Sequence, residues 1–196
     1  MSVIRRPVLV AAVAGVVVAV LSIVGGVGLA TYLDDEPPVD GEVVLDEPGI
    51  YDQSVDEINE AVTGDDVPLV ALFDAAGTEV SLGDYRGQPM VVNLWFSRCV
   101  PCQRELQDFA EVHAELGDAV RFVGVDPFDT VEAMERFAAA RGVEYELLRD
   151  PERDFTNAIG VVAFPVTLFV DEHGRIVRQT GAIDADELRA TIADVF

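Results

Sequence analysis

The chain has 196 residues, 50% of them hydrophobic, which is enough for one ordinary domain and a further segment. Its formal net charge is −23, and a surface this acidic repels nucleic acid and anionic lipid headgroups, which excludes a nucleic-acid partner. Because its only cysteines are Cys99 and Cys102, the chain can form neither a scaffold of several disulfides nor a zinc site of four cysteines.

The first predicted element is a membrane anchor. Residues 7–33 contain no charged side chain, and about 20 apolar residues suffice for a helix that crosses a bilayer. Arg5 and Arg6 precede this run and Asp34 follows it. The positive-inside rule therefore places residues 1–6 in the cytoplasm and the rest of the chain outside it, which predicts a single-pass protein of the cell membrane.

A cleaved signal peptide is the alternative to the anchor. Gly28 and Ala30 offer the small residues that a signal peptidase recognises, although the apolar run is longer than the roughly 7–15 residues of such a peptide. Cleavage would release a secreted domain, so both interpretations place the rest of the chain outside the cytoplasm.

Residues 34–66 are predicted to form an acidic extracytoplasmic linker. This segment has many acidic residues, several prolines and no basic residue, and such a composition favours an extended spacer over a packed core. Three apolar residues within it, Ile50, Tyr51 and Ile58, are candidates for docking on the domain that follows.

The remaining residues, 67–196, alternate short apolar runs with amphipathic stretches. Alternating strands and helices predict a parallel sheet covered on both faces, and a late hairpin adds antiparallel strands, which together give a mixed α/β sandwich. The predicted elements are a hairpin (67–73 and 78–82), a buried strand (90–96), a helix (99–116), a strand (120–125), a helix (130–141), a strand (146–149), a short helix (154–159), a second hairpin (166–170 and 176–180) and a last helix (184–195).

The sequence Cys-Val-Pro-Cys at 99–102 lies where a buried strand gives way to a helix. The thiolate is the reactive form of cysteine, and the positive end of a helix dipole stabilises it. Pro101 suits the first helical turn, where its missing N–H costs no hydrogen bond. Arg98 either stabilises the thiolate further or is a solvated side chain with little effect. A metal half-site or an inert disulfide explains this position less well, so we interpret the cysteines as a redox pair.

The segment VVNLWFSRCVPCQREL resembles the active site of thioredoxin-like proteins, in particular of the TlpA/ResA/CcmG branch of membrane-tethered extracytoplasmic thiol–disulfide oxidoreductases. The resemblance covers about residues 67–196. Within them, DAAGTEVSLGDYRGQ resembles the opening hairpin of that branch, PFDTVEAMERFAAARGVEYELLRDPERDFTNAIGV its strand–helix insertion, and AFPVTLFVDEHGRIV its cis-proline loop and hairpin. It implies a thioredoxin fold with an N-terminal β-hairpin and a central βα insertion, preceded by one transmembrane helix.

The resemblance also implies roles for individual residues. Cys99 is the attacking cysteine and Cys102 the resolving one, and Pro165 is a cis-proline that presents loop backbone to a substrate peptide as a short added strand. Glu105, one turn after Cys102, is implied to exchange the proton of that thiol, whereas an exposed helical glutamate is the simpler alternative. Asn93 stands where thioredoxin has a buried acid, which favours the tethered branch.

Three further residues near the pair are candidates for substrate binding. Arg98 stands where many members of the branch have tryptophan, and Phe164 is bulkier than their usual residue before the cis-proline. Both are expected to flank the substrate groove and to influence which partner docks. Trp95 is expected to pack beside the site or to belong to the core only.

These features together predict a protein-disulfide oxidoreductase that needs no cofactor or metal. Its predicted partners are protein thiols or disulfides, the membrane that holds its N-terminal helix, and a membrane electron donor or acceptor. Many members of the branch reduce apocytochrome c before haem attachment, whereas others form disulfides in secreted proteins. The resemblance therefore leaves the direction of electron flow open.

Two other functions of this fold remain alternatives. A copper chaperone needs a histidine beside a thiolate pair, but His113 lies on a helix face and His173 in a turn, both far from the cysteines in sequence. A peroxidase of the peroxiredoxin type has a threonine three residues before its cysteine, where this chain has Phe96. We therefore expect disulfide exchange rather than either alternative.

Overall fold

The structure, a computed structural model, describes residues 58–196. The predicted anchor at residues 7–33 and most of the predicted linker lie outside the described residues. Among the residues described, no helix has the length and apolar character that crossing a membrane requires.

The described domain is built on one mixed sheet. Its strands are β1 (Leu72–Phe73), β2 (Glu79–Val80), β3 (Met90–Leu94), β4 (Arg121–Asp126), β5 (Glu146–Arg149), β6 (Val166–Val170) and β7 (Ile176–Thr180). They lie side by side in the order β2-β1-β5-β4-β3-β6-β7. β3, β4 and β5 are parallel, whereas β1 and β2 at one edge and β6 and β7 at the other are antiparallel to their neighbours. This is the predicted mixed α/β architecture.

Helices cover both faces of the sheet. The α-helices of the described residues are α1 (Val100–Leu116), α2 (Val131–Ala139), α3 (Asp154–Ala158) and α4 (Ala185–Val195). One face packs against α1, α2 and α4, which contribute Leu106, Met134 and Leu188 to its core. The other face packs against α3 and the start of the domain, through Phe155 and Val62. Every residue of β3 is buried between these layers, which is why that strand is a nearly continuous apolar run in the sequence.

Side-chain caps define two of the predicted helix starts. Thr130 and Asp184, the first residues of the helices predicted over 130–141 and 184–195, accept hydrogen bonds from the amides of Ala133 at 3.3 Å and Glu187 at 2.9 Å. The first amides of a helix have no partner within the helix, so an acceptor just before it determines where it begins.

The N-terminal hairpin is shorter than predicted. Its two strands, expected over 67–73 and 78–82, have two residues each. The amide of Val67 donates instead to the carbonyl of Gly174 at 2.8 Å, in the turn between β6 and β7. At the other end, Leu82–Tyr85 forms a 3₁₀ helix with a capping box at its start, so these residues leave the extended conformation.

Residues 59–66, which the composition assigns to the linker, pack against the domain. Asn59 and Val62 are each only 6% exposed. Ile58, a candidate for docking, is instead 58% exposed. Two buried side chains, Asn59 and Val62, therefore attach a segment whose other residues are exposed, as its composition favours.

Gly124 on β4 lies where a side chain would collide with the core. A Cβ at this position would lie 2.7 Å from Trp95 Nε1 and 2.8 Å from Leu147 Cδ2. We expect Gly124→Ala to lower the free energy of unfolding by about 2 kcal/mol, because overpacking a core costs ~1–3 kcal/mol. Urea unfolding followed by the emission of Trp95, the only tryptophan, measures this change. Unchanged stability would show that the indole moves aside without cost.

Candidate active site

Cys99 and Cys102 form a disulfide at the junction between β3 and α1, with their Cα atoms 5.2 Å apart. Cys99 is the N-cap of α1, and its Sγ accepts a hydrogen bond from the amide of Cys102 at 3.2 Å. Pro101 lies in the first helical turn, as predicted. In the reduced protein this amide and the helix dipole favour a thiolate on Cys99.

Glu105 lies one turn beyond Cys102 on α1 and is only 3% exposed. Residues three apart on a helix share a face, so its carboxyl group lies on the same side of α1 as Cys102. Its oxygens accept hydrogen bonds from Asn93 Nδ2 at 3.0 Å and from the amide of Ile183 at 3.3 Å. Burial outweighs these two bonds and raises the pKa of Glu105 to about 8. The exposed glutamate considered from the sequence is therefore wrong, and this group holds a proton at neutral pH.

Asn93 connects the Glu105 carboxyl group to β6. This strand follows the loop that contains Pro165, residues 161–165, which we call the proline loop. Asn93 Nδ2 also donates to Thr167 Oγ1 at 3.1 Å, and Asn93 and Thr167 are paired in the register of β3 and β6. Both side chains are buried. Three elements thus supply one polar network inside an apolar core, and its only signal in the sequence is an asparagine within the run MVVNLWF.

The peptide bond between Phe164 and Pro165 is cis, as the resemblance implied. The Phe164 ring packs edge-on against Phe96 and Phe128, with ring centroids 5.4 Å and 5.6 Å away. Phe96 and Phe128 are themselves 5.0 Å apart, and we call these three rings the aromatic cluster. It joins the proline loop to the segment before Cys99. Phe128, which is 47% exposed, has no motif that marks it in the sequence.

The loop after β4 holds the segment that precedes the cysteines. Asp129 accepts a hydrogen bond from the Ser97 amide at 2.6 Å and another from the Ser97 hydroxyl at 2.9 Å. Burial alone would raise the pKa of Asp129, but Ser97, the Asp126 carboxyl group and the charge of Arg98 hold it below its usual value. Asp126 is fully buried, and burial raises its pKa to about 7. Arg98 is exposed, and its charge acts on the Asp129 carboxyl group.

We expect Asp129→Ala to lower the free energy of unfolding of the oxidised protein by about 1–2 kcal/mol. The substitution leaves the Ser97 amide without its acceptor, and an unsatisfied buried donor costs ~1–3 kcal/mol. Urea denaturation measures the change, with Glu135→Ala as a control because Glu135 is an exposed acid on the following helix. Equal stability of the two variants would mean that the Ser97 amide finds another acceptor.

Of the candidate substrate-binding residues, Trp95 differs in role from what the sequence indicated, whereas the two histidines lie where the sequence placed them. Trp95 is completely buried and stacks on Phe137, with ring centroids 5.6 Å apart, so it cannot line a substrate groove and is part of the core. His113 packs against the rings of Phe122 and Tyr145. The side chain of His173 is 80% exposed in its turn. Within residues 58–196, no three histidines, cysteines or acids are grouped so that they could hold a metal ion.

The model of the AhpC/TSA family matches residues 63–179, which is more than half of the chain. The chain belongs to the AhpC/TSA family of thioredoxin-like proteins. The matched range of this AhpC/TSA protein includes the cysteine pair, the buried glutamate and the proline loop.

The relatives of this AhpC/TSA protein include thiol-disulfide oxidoreductases and a putative peroxiredoxin. The thiol-disulfide oxidoreductase ResA of Geobacillus thermodenitrificans is 26% identical over 148 residues, which cover 74% of this chain and 85% of that protein. A putative peroxiredoxin of Mycobacterium tuberculosis is 34% identical over 131 residues, which cover 58% of this chain and 81% of that protein.

A solved structure of a similar protein shows which fold the domain has. The structure of MTB dsbF in its mixed oxidised and reduced forms is 28% identical, with a TM-score of 0.60 over 66% of this chain and 99% of that chain. The domain therefore has the thioredoxin fold. Together with the ResA relatives and the disulfide between Cys99 and Cys102, this makes the AhpC/TSA protein a protein-disulfide oxidoreductase.

Proposed function

We propose that this protein reduces disulfides of exported proteins, with Cys99 as the nucleophile and Cys102 as the resolving cysteine. The Cys99 thiolate attacks one sulfur of a substrate disulfide, which forms a mixed disulfide and releases the other substrate sulfur as a thiol after it takes up a proton. Cys102 then attacks Cys99, which releases the second substrate thiol. Two electrons pass to the substrate, and the bond between Cys99 and Cys102 closes.

The observation that carries this proposal is a disulfide at the start of α1 with a buried proton donor behind it. Cys99 is 5% exposed and Cys102 is fully buried, so a substrate sulfur reaches Cys99 first. Glu105 lies one turn beyond Cys102 and holds a proton at neutral pH, since burial raises its pKa to about 8. The ionised form of Glu105, a minority at pH 7 that grows toward pH 8, accepts the Cys102 proton in the resolving step, and the resulting acid returns it when the pair is reduced again.

The surroundings of the pair favour a reductant over an oxidant. A thiol–disulfide protein is a strong oxidant when its reduced form is stabilised as a thiolate. Here Cys102 is buried among apolar residues, and the Asp129 carboxylate is bonded to Ser97, two residues before Cys99. The start of α1 favours a thiolate on Cys99, whereas burial disfavours one on Cys102 and the Asp129 charge opposes both. We propose that the last two effects outweigh the first, so that the disulfide is the more stable form and the reduced protein gives its electrons away readily.

A redox titration of the full-length protein against dithiothreitol or glutathione tests the direction. We expect a potential near −270 mV or lower, whereas a value near −120 mV would replace the reductant with a disulfide-forming oxidase. Cys99→Ser and Cys102→Ser serve as controls that cannot close the disulfide. A wild-type protein without a redox-active disulfide would overturn the proposal.

The proposed site of action is outside the cytoplasm, on a domain tethered by residues 7–33. The uncharged run behind Arg5 and Arg6 supports this topology, and the family resemblance supports apocytochrome c thiols as clients and a membrane electron donor. Because the chain has only two cysteines, a membrane-impermeant maleimide applied to reduced, intact cells reports their location. Labelling that appears only after lysis would place the domain in the cytoplasm instead.

Peroxide reduction is a second candidate because of the 34% identity to a putative peroxiredoxin. The chain has Phe96 three residues before Cys99, where the resemblance to peroxiredoxins requires a threonine, and its ring belongs to the aromatic cluster. We therefore expect slow peroxide consumption. Fast consumption that Cys99→Ser abolishes would favour a peroxidase.

A further inference from the structure

Asn59 contacts the loop that leads into the cis-proline. Its Oδ1 accepts hydrogen bonds from the amides of Val162 at 2.8 Å and Ala163 at 2.9 Å, and its Nδ2 donates to the Ala163 carbonyl at 2.9 Å. The side chain that makes these contacts is 6% exposed and lies 104 residues earlier in the chain than Ala163. One buried side chain therefore satisfies three backbone groups of this loop.

The loop needs such a partner because it belongs to neither a helix nor a strand. Residues 161–163 follow α3 and precede β6, so no helical or sheet ladder pairs the two amides that Asn59 accepts. The bonds of both amides are partly buried, although Val162 as a residue is 70% exposed, and a backbone amide that loses contact with water requires an acceptor. An asparagine can accept two such bonds with its oxygen and donate a third with its nitrogen, which matches the groups present here.

We propose that Asn59 is a positioning residue that holds the proline loop in place for a substrate peptide beside Cys99. Ala163 adjoins Phe164, whose ring belongs to the aromatic cluster, and Pro165 follows directly. A shift of the Ala163 backbone therefore moves the surface on which the substrate strand lies. This inference rests on the proposed exchange with protein substrates and identifies a residue that acts on substrate docking rather than on the disulfide.

A second residue makes it possible to distinguish the hydrogen bonds of Asn59 from the general attachment of residues 59–66 to the domain. Gln179 on β7 holds the same segment elsewhere: its Oε1 accepts from the Val62 amide at 3.1 Å, and its Nε2 donates to the Glu60 carbonyl at 3.1 Å. No hydrogen bond found among the described residues joins Gln179 to residues 161–163. Gln179→Ala therefore loosens the segment by two hydrogen bonds without removing an acceptor from the loop, which makes it a matched control.

The test compares full-length wild type, Asn59→Ala, Asn59→Asp and Gln179→Ala. One measurement is amide hydrogen exchange at Val162 and Ala163. A second is the rate at which each reduced protein reduces a disulfide-bonded Cys-x-x-Cys-His peptide, the haem-attachment sequence of c-type cytochromes. The third is the redox potential against dithiothreitol, which reports on the cysteine pair alone.

For Asn59→Ala we expect exchange at both amides to accelerate at least about tenfold and the second-order rate constant for reduction of the peptide to fall about tenfold, since each lost hydrogen bond contributes ~1 kcal/mol. The potential should stay at the wild-type value. Asn59→Asp keeps the two acceptor bonds but turns a carboxylate oxygen toward the Ala163 carbonyl, so it should preserve more amide protection and activity than Asn59→Ala but less than wild type. Gln179→Ala should leave amide exchange, peptide reduction and the redox potential unchanged.

Unchanged amide exchange in Asn59→Ala, or an equal loss of activity in Gln179→Ala, would overturn the role of Asn59. A changed redox potential in Asn59→Ala would also overturn it, because the residue would then act on the disulfide. If wild type fails to reduce the peptide, the proposed client is wrong, while the exchange data still decide whether Asn59 holds the loop.

Discussion

Cys102→Ser should accumulate as a mixed disulfide with its substrate, whereas Cys99→Ser should form none. Cys99 is the cap of α1, and its sulfur accepts the Cys102 amide at 3.2 Å, so it is the sulfur that the helix start activates. Cys102 is fully buried behind it. Without the Cys102 thiol, the bond between Cys99 and the substrate sulfur cannot be resolved within the protein and persists.

Non-reducing electrophoresis and mass spectrometry of the trapped species measure this result and name the client. Both variants should lose turnover by at least about three orders of magnitude, because nucleophile and resolving group act as a unit. The matched control is the double variant, which should trap nothing. Trapping by Cys99→Ser instead of Cys102→Ser would reverse the roles of the two cysteines.

Glu105→Gln should stabilise the oxidised protein near neutral pH and remove part of its pH dependence. Burial raises the pKa of Glu105 from 4.5 to about 8. The folded protein thus keeps a proton that the unfolded chain releases between these two values, so the free energy of unfolding falls as the pH rises from 4.5 to 8. At pH 7 this cost is roughly 3 kcal/mol, since each pH unit contributes about 1.4 kcal/mol.

Glutamine stays neutral, so the variant avoids this cost but exchanges one hydrogen-bond acceptor for a donor. We therefore expect a net gain of roughly 2 kcal/mol at pH 7, and little change at pH 4.5 apart from the lost bond. Urea denaturation between pH 4.5 and 8.5 measures both values. Glu135→Gln, which changes an exposed acid, should keep the wild-type slope.

The same variant should lose activity while it gains stability. Glu105 carries the Cys102 proton in the proposed mechanism, and a positioned acid or base contributes ~10²–10⁴-fold to the rate of such a step. Turnover of Glu105→Gln should therefore fall about a hundredfold at pH 7 and lack the bend near pH 8 that we expect for wild type. A wild-type profile without that bend would contradict the assignment of Glu105.

The sequence determined the order of the elements and the position of the chemistry. Strands β5, β6 and β7 lie at the residues predicted for them, because short apolar runs bounded by turn residues are local signals. The cysteines were placed at a strand–helix junction for the same reason. Each of these inferences depends on residues within about one helical turn of one another.

Only the tertiary structure decided what those residues touch. Asn93, Glu105 and Thr167 form their network from three different elements. Trp95, which the sequence offered as a substrate-binding residue, is completely buried and belongs to the core. Asn59 belongs by composition to an acidic linker, yet it bonds to a loop 104 residues away. The burial and the hydrogen-bond partners of a residue depend on which elements become neighbours when the sheet assembles. The local pattern of apolar residues in the sequence does not determine these neighbours.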